Sequence, residues 1–327
     1  MRWLLTVLLV LALLGLAAAG GVMWGVKRLD APGPMATATT LVIAKGADTG
    51  RRLADAGLVE YRWLFALATR LDRRHPLQAG EYEFPAHASM AQIIDLMQKG
   101  QVVIHKITIA EGLTVKQAMG VLRQAEAMVG RVEPPPEEGS LLPETYNYTY
   151  GEERAELVSR MQRAMGRTVD ALWAKRPPDS MIAGKTEAII LASIVERETA
   201  VPAERPHIAA VFLNRLRRHM KLQSDPTVIY ALSRGEGVLD RPLAHDDLSF
   251  ASPYNTYVSD GLPPGPICNP GPASLAAVLH PANSDDLYFV ADGGGGHVFA
   301  RTLDEHNKNV ARLRRLQNSP NRSAPTP

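Results

Sequence analysis

Between Arg2 and Lys27 the chain carries no charged residue, and residues 3–26 are almost entirely apolar. A helix crossing the hydrocarbon core of a bilayer needs about 20 such residues. In lipid every backbone polar group must be satisfied internally, so a run of this kind is restricted to helix. Residues 1–26 are therefore expected to form a transmembrane anchor. The competing reading is a cleaved leader, because Ala17, Ala18 and Ala19 offer a small-residue cleavage site behind a leucine-rich core. The apolar run continues past that site through Val22, Met23 and Trp24, and no cysteine follows for lipid attachment, which favours the anchor. Arg2 lies on one side and Lys27 with Arg28 on the other, so charge says little about orientation. The long remainder, with no second span, is expected on one extracytoplasmic side.

That remainder can build real cores. The chain has 327 residues, 46% of them apolar, which suits about two domains. Its 36 basic and 34 acidic residues nearly cancel, and no basic run is interleaved with aromatics, so nucleic acid is not an expected partner. The single cysteine, Cys268, rules out an intrachain disulfide and a thiolate zinc cluster; it reads as a small packed residue.

Pro32 and Pro34 mark a linker over 27–39. Residues 40–45 then read as a strand, 49–56 and 61–71 as short helices, 78–84 as a second strand and 89–97 as a capped helix, together a small α+β module without a catalytic constellation. Residues 102–109 alternate as another strand, and Thr114 caps the next helix. A Pro/Glu-rich loop over 133–139 leads to Tyr146, Tyr148 and Tyr150, whose rings suit either stacking on sugars or a core. Helix follows over 157–173, broken by Pro177 and Pro178.

The stretch 186–200, Thr-Glu-Ala-Ile-Ile-Leu-Ala-Ser-Ile-Val-Glu-Arg-Glu-Thr-Ala, is an apolar helical pattern ending in carboxylates. Thr186 suits the N-cap. About 100° per residue places Ile190, Leu191, Ile194, Val195 and Glu198 on one face, while Glu196 points the other way. A carboxyl on an apolar face, at the negative end of the helix dipole, favours its protonated form, which is how a general acid is made. The alternative is an ordinary exposed helix end, with Glu198 paired to Arg197 or Arg205.

Beyond it, 207–218 reads as helix, and Pro226 sits at a helix start in the run 222–230 (Leu-Gln-Ser-Asp-Pro-Thr-Val-Ile-Tyr). The segments 253–257 and 261–267, rich in Pro, Gly and Tyr, make stiff loops of the sort that line sites. A helix over 274–279 precedes a hairpin, with strands at 286–291 and 296–300 and a turn at 292–296; the Gly run is no phosphate loop, since no Lys-Ser/Thr helix start follows it. His297 and His306 read as structural, having no metal-type partner at suitable spacing. The tail, 319–327, is expected to be disordered.

Glu198 on its helix, the run 222–230, Tyr254-Asn255-Thr256-Tyr257, the Gly-Leu-Pro-Pro-Gly-Pro of 261–266 and the Tyr-Phe-Val-Ala-Asp of 288–292 occur in this order. Together they resemble the endolytic murein transglycosylases, also called the YceG-like family, over nearly the whole chain. Residues 138–146 look like the family's entry motif, with Ser and Leu replacing aromatics. The resemblance implies an α+β chain: the anchor, a LysM-like module over 40–104, and a mainly helical lysozyme-like catalytic domain with a β-hairpin over 105–318. It implies a single-pass protein of the cytoplasmic membrane with its catalytic domain on the periplasmic side. Its substrate would be peptidoglycan glycan strands, and its neighbours peptidoglycan synthases. The implied reaction is non-hydrolytic cleavage of the MurNAc–GlcNAc bond within strands, leaving 1,6-anhydro-MurNAc ends, with no metal or cofactor. One glutamate acts as acid and then base: Glu198 by its face, with Glu196 as the alternative. Gln223, Asp225, Tyr254, Asn255 and Tyr257 would line the substrate cleft, although Asp225 beside Pro226 also suits a helix cap. Two other readings stand: a lysozyme-like hydrolase using Glu198 as acid and Asp225 as base, and a non-catalytic peptidoglycan-binding membrane protein.

Overall fold

The computed structural model describes residues 2–72 and 75–318, so the expected disordered tail at 319–327 lies outside the described residues. It is a mixed helix and strand structure in two units, one of Met1–His105 with Asn147–Glu152, the other of Lys106–Tyr146 and the chain from Glu153 onward.

The first unit opens with α1 (Arg2–Asp30), long and apolar enough to cross a membrane. The helix runs four residues beyond the expected end at 26, through Lys27 and Arg28, so the extended connection begins only at Ala31. There follow β1 (Thr39–Ile43), α2 (Thr49–Asp55), α3 (Arg62–Leu71), β2 (Gly80–Phe84) and α4 (Met90–Gln98). Strands β1 and β2 pair antiparallel, Thr39 opposite Phe84 and Ile43 opposite Gly80. Alternation in β2 sends Tyr82 and Phe84 inward, where they are fully buried, and Glu83 outward. On α4 a capping box between Ser89 and Gln92 sets the start, and Met90, Ile93, Ile94 and Met97 recur at helical spacing on the buried face.

The second unit holds α5 (Val115–Arg123), α6 (Arg154–Ala174), α7 (Lys185–Glu198), α8 (Arg205–Arg217), α9 (Asp225–Leu232), α10 (Pro272–Leu279) and α11 (Leu303–Asn318). Strands β3 (Ile104–Thr108) and β4 (Thr145–Thr149) pair with each other, and β5 (Tyr288–Ala291) forms an antiparallel hairpin with β6 (His297–Ala300). Thr114 and Gln117 close the expected cap on α5. Helix α11 has no counterpart among the sequence expectations. Tyr146 and Tyr148 fall on β4, whose alternation buries both, while Tyr150 lies just past the strand's end and is exposed. Tyr146 donates to Leu142 O at 2.7 Å, so of the two roles open to these rings the buried pair serves the core.

The centre of this unit is α7. Ala188, Ile190, Leu191, Ala192, Ser193, Ile194 and Val195 are all buried, against Phe212 and Leu213 of α8, Leu275 and Val278 of α10, and Met165 and Val169 of α6. The helix is thus enclosed through its middle on every side, not on the single face that the periodicity indicates. Ser193 tolerates this because its hydroxyl donates to Ile190 O and accepts from Ile267 N–H. Cys268 is fully buried beside it, its thiol donating to Ser193 O, a packed residue as expected.

Candidate active site

Helix α7 begins at Lys185 with Gly184 as N-cap, so Thr186 is not the cap; the Glu187 carboxylate reaches back to Ala183 N–H instead. The helix ends at Glu198, two residues earlier than expected, because Thr199 turns to extended backbone. Glu198 is therefore the last helical residue. Burial, the largest influence, pushes its pKa up to about 7; a hydrogen bond from Ser224 opposes this, nearby Asp225 reinforces it, and His297 and Arg215 oppose it more weakly. The carboxyl is crowded by protein, while the residue as a whole keeps part of its surface open to solvent.

Ser224 is the N-cap residue of α9, but its side chain makes no capping bond. Its hydroxyl donates to Glu198 Oε1 in a short hydrogen bond. A lost N-cap costs about 1 kcal/mol, and the hydrogen bond to the carboxyl returns a similar amount, more whenever Glu198 is ionised, so the hydroxyl serves Glu198 without net loss. Gln223 holds the turn before it at φ 50°, in the left-handed region, bonded through its N–H to Thr256 O. Such strain at a non-glycine residue aims the next side chain. The buried hydroxyls of Thr256 and Thr227 brace Ser224 from behind.

On the other side, Thr199 donates to Glu204, and His297 binds the same carboxylate through its ring Nδ1 at 2.8 Å and its backbone N–H at 2.7 Å. A Cβ at Gly296 would come within 2.7 Å of Glu204 Oε1, so a larger residue there would disturb the Glu204–His297 contact. Arg215, buried, donates to Leu287 O at 2.6 Å and Leu222 O at 2.8 Å and lies under the Tyr288 ring, tying the hairpin to the approach to α9.

The other expected site residues divide. Asp225 is exposed at the first turn of α9 and accepts from the Tyr257 hydroxyl at 2.6 Å, and Gln223 is exposed beside them, so these three stand with Glu198. Asn255 does not. It is fully buried, its amide donating to Leu248 O and Phe250 O and accepting from Tyr257 N–H, so it folds the loop and leaves no group for a ligand. Tyr254 packs on Tyr230 with ring centroids 5.0 Å apart, at the edge of the core, and Tyr230 in turn donates to Glu138. Glu196, the rival acid, has a side chain only 4% exposed; it is bound by Arg205 at 2.8 Å and by Gly271 N–H at 2.8 Å. A Cβ at Gly271 would lie 1.8 Å from Glu111 Oε1, so a larger residue there would displace the Glu111 side chain. Arg205 thus pairs with Glu196 and Glu111 rather than Glu198, and Arg197 donates to Gly112 O and Gly237 O. Grooves of about 890 Å³ in the first unit and about 760 Å³ beside α5 contain none of these residues.

Ser224, His297 with Glu204, and Arg215 escaped the sequence reading. A serine before Asp-Pro reads as a helix cap, and a histidine far along the chain has no spacing signal that pairs it with Glu204. Among the described residues no cluster of His, Cys, Asp and Glu could hold a metal ion.

The raised pKa of Glu198 carries a stability signature. In the unfolded chain the group titrates near 4.5, and in the folded chain near 7. Below pH 4.5 it is protonated in both states and costs nothing. Between 4.5 and 7 the unfolded state ionises first, so stability falls as pH rises, and above 7 the loss is complete. The melting temperature of Glu198→Gln should match the parent's below pH 4.5 and exceed it above pH 7; equal melting at pH 8 would mean the carboxyl is not raised.

The YceG-like family model matches residues 42–312. The endolytic murein transglycosylase of Bacillus subtilis (strain 168) is 41% identical over 174 residues, 53% of this chain and 47% of that protein. The endolytic murein transglycosylase of Streptococcus pneumoniae serotype 2 (strain D39) is 29% identical over 355 aligned positions, 92% of this chain and 64% of that protein. The chain thus spans between about half and two-thirds of the length of these curated relatives. The crystal structure of a YceG-like protein from Listeria monocytogenes superposes with a TM-score of 0.55 at 31% identity, covering 83% of this chain and 98% of that one. With most of its length matched, from the first strand to α11, the chain belongs to the YceG-like family.

Proposed function

We propose that the chain is a membrane-anchored endolytic lytic transglycosylase, cutting the MurNAc–GlcNAc bond within peptidoglycan strands and limiting the length of nascent ones. The observation that carries this is Glu198: a carboxyl at a helix end, raised to about 7 and bound by a serine that gives up its own cap. Such a group holds its proton in a large share of molecules near neutral pH and stays competent as a base once the proton has left.

Protonated Glu198 gives its proton to the glycosidic oxygen, and the bond to the muramoyl C1 breaks. The resulting carboxylate takes the proton of the C6 hydroxyl as O6 closes on C1, so the 1,6-anhydro ring forms and Glu198 returns to its protonated form. Ser224 holds one carboxylate oxygen through both steps. Asp225, the second acid a hydrolase would use on water, is engaged by Tyr257, which supports the one-carboxyl route over the two-carboxylate one. Gln223, Asp225 and Tyr257 are assigned to substrate binding, with Tyr254 behind them.

Further supports are indirect. The order β1, α2, α3, β2 in the first unit suits the LysM-like reading of 40–104, and the helical core around α7 suits the lysozyme-like reading of 105–318. Helix α1 suits a single-pass anchor in the cytoplasmic membrane with both units outside, near the synthases. The test is mass spectrometry of digested peptidoglycan, where anhydro-muropeptides are expected and reducing ends alone would establish a hydrolase. The cleavage rate should also fall as pH rises through about 7, where free Glu198 loses its proton.

A further inference from the structure

Helix α3 buries Leu64 and Phe65 in the core of the first unit, but Trp63, Leu67 and Leu71 stay 57%, 45% and 76% exposed. At four-residue spacing these three form one apolar stripe, bordered by the exposed Arg62 and Arg70. A water-facing surface has no use for such a stripe; it marks a partner.

The position of the stripe identifies the partner. Trp24, near the end of the apolar run of α1, stacks on Trp63 with ring centroids 6.0 Å apart and planes 6° apart, and meets Tyr61 edge-on at 5.5 Å. The Arg28 guanidinium covers both the Trp24 and Tyr61 rings. Gly25, buried, lies against the Leu64 side chain. An indole followed by Lys27 and Arg28 at the end of an apolar span is the residue pattern of the membrane–water boundary. The stack then carries Trp63 to the same depth as Trp24. Leu71 shares a groove with Leu29, five residues further along α1, so the stripe rises outward from Trp63.

We propose that α3 is an interfacial docking helix: Trp63 and Leu67 enter the headgroup and acyl boundary of the bilayer that α1 crosses, Leu71 lies among the headgroups, and Arg28 faces anionic lipid. This rests on the reading of α1 as a span. The aromatic stack and the stripe then seat the first unit on the lipid surface in one orientation, instead of leaving it to turn on a tether. The partner is the bilayer itself, because the stripe is continuous with the residues that mark its boundary and carries the aromatic and basic composition of interfacial helices.

The test uses the full chain in vesicles of phosphatidylethanolamine and phosphatidylglycerol, with a nitroxide on Leu67→Cys, Leu71→Cys, Leu11→Cys or Glu83→Cys in turn; Cys268 is buried and stays unlabelled, which the parent verifies. Power saturation against oxygen and a water-soluble nickel chelate reads depth. Position 11 should report the bilayer interior and position 83 water. Position 67 should lie within the headgroup and acyl boundary, with an oxygen-to-nickel ratio several-fold above that at 83, and position 71 should be shallower. Water-like values at 67 and 71 beside an embedded 11 would overturn the docking and leave the anchor standing. A water-like value at 11 would overturn both.

Discussion

Glu198→Gln is expected to lower glycan cleavage by about three orders of magnitude while leaving the fold intact, within the range that general acid–base groups contribute. The loss should lie above the lower end of that range because one carboxyl serves both proton transfers, and an amide can perform neither. The fold should survive because glutamine keeps an oxygen for the Ser224 hydroxyl and the helix above it is held by its own buried side chains. The rate of anhydro-muropeptide release, measured beside the melting curve, checks both halves. Cleavage at the parental rate would remove Glu198 from the mechanism and leave the non-catalytic reading in place.

Glu196→Ala should do the reverse: a loss of about 3 kcal/mol in stability, with cleavage per folded molecule near the parental level. Removing one member of a buried ion pair strands its partner at a cost of about 3–5 kcal/mol. Arg205, its side chain 11% exposed, would keep only Glu111 at 3.3 Å, a carboxylate that is 42% exposed and already shared with solvent. Gly271 N–H would lose its acceptor as well. Chemical denaturation followed by circular dichroism measures the first effect and product release the second. If Glu196→Ala instead abolished cleavage at unchanged stability, the roles of the two glutamates would have to be exchanged.

The two variants bear on how much of the site was legible beforehand. Helical periodicity separates Glu196 from Glu198, because residues two apart on a helix point to opposite sides whatever surrounds them. It does not say which side is the site. In fact α7 is enclosed almost all round, and what distinguishes the two acids is the company each meets: a guanidinium for Glu196, a serine hydroxyl and low polarity for Glu198. Asn255 shows the opposite failure. Its place in a motif with Tyr254 and Tyr257 suggested a cleft residue, but three hydrogen bonds to nearby backbone consume its amide, and no pattern in the string predicts that closure. Ser224 was passed over for the same reason, since its position reads as a cap and only the proximity of α7 redirects it.

The sequence alone determined the local features: the apolar span, the capping boxes at Ser89 and Thr114, the alternation of β2, the hairpin turn at 292–296 and the helix that ends in carboxylates. Each depends on residues within a few positions of one another, where propensity and periodicity act directly. The tertiary structure alone decided that Ser224 donates to Glu198, that His297 secures Glu204 and that Arg205 neutralises Glu196, contacts 26, 93 and 9 residues apart. Those are set by how helices pack around a shared core, and the pKa of a buried carboxyl follows from the groups that packing brings to it.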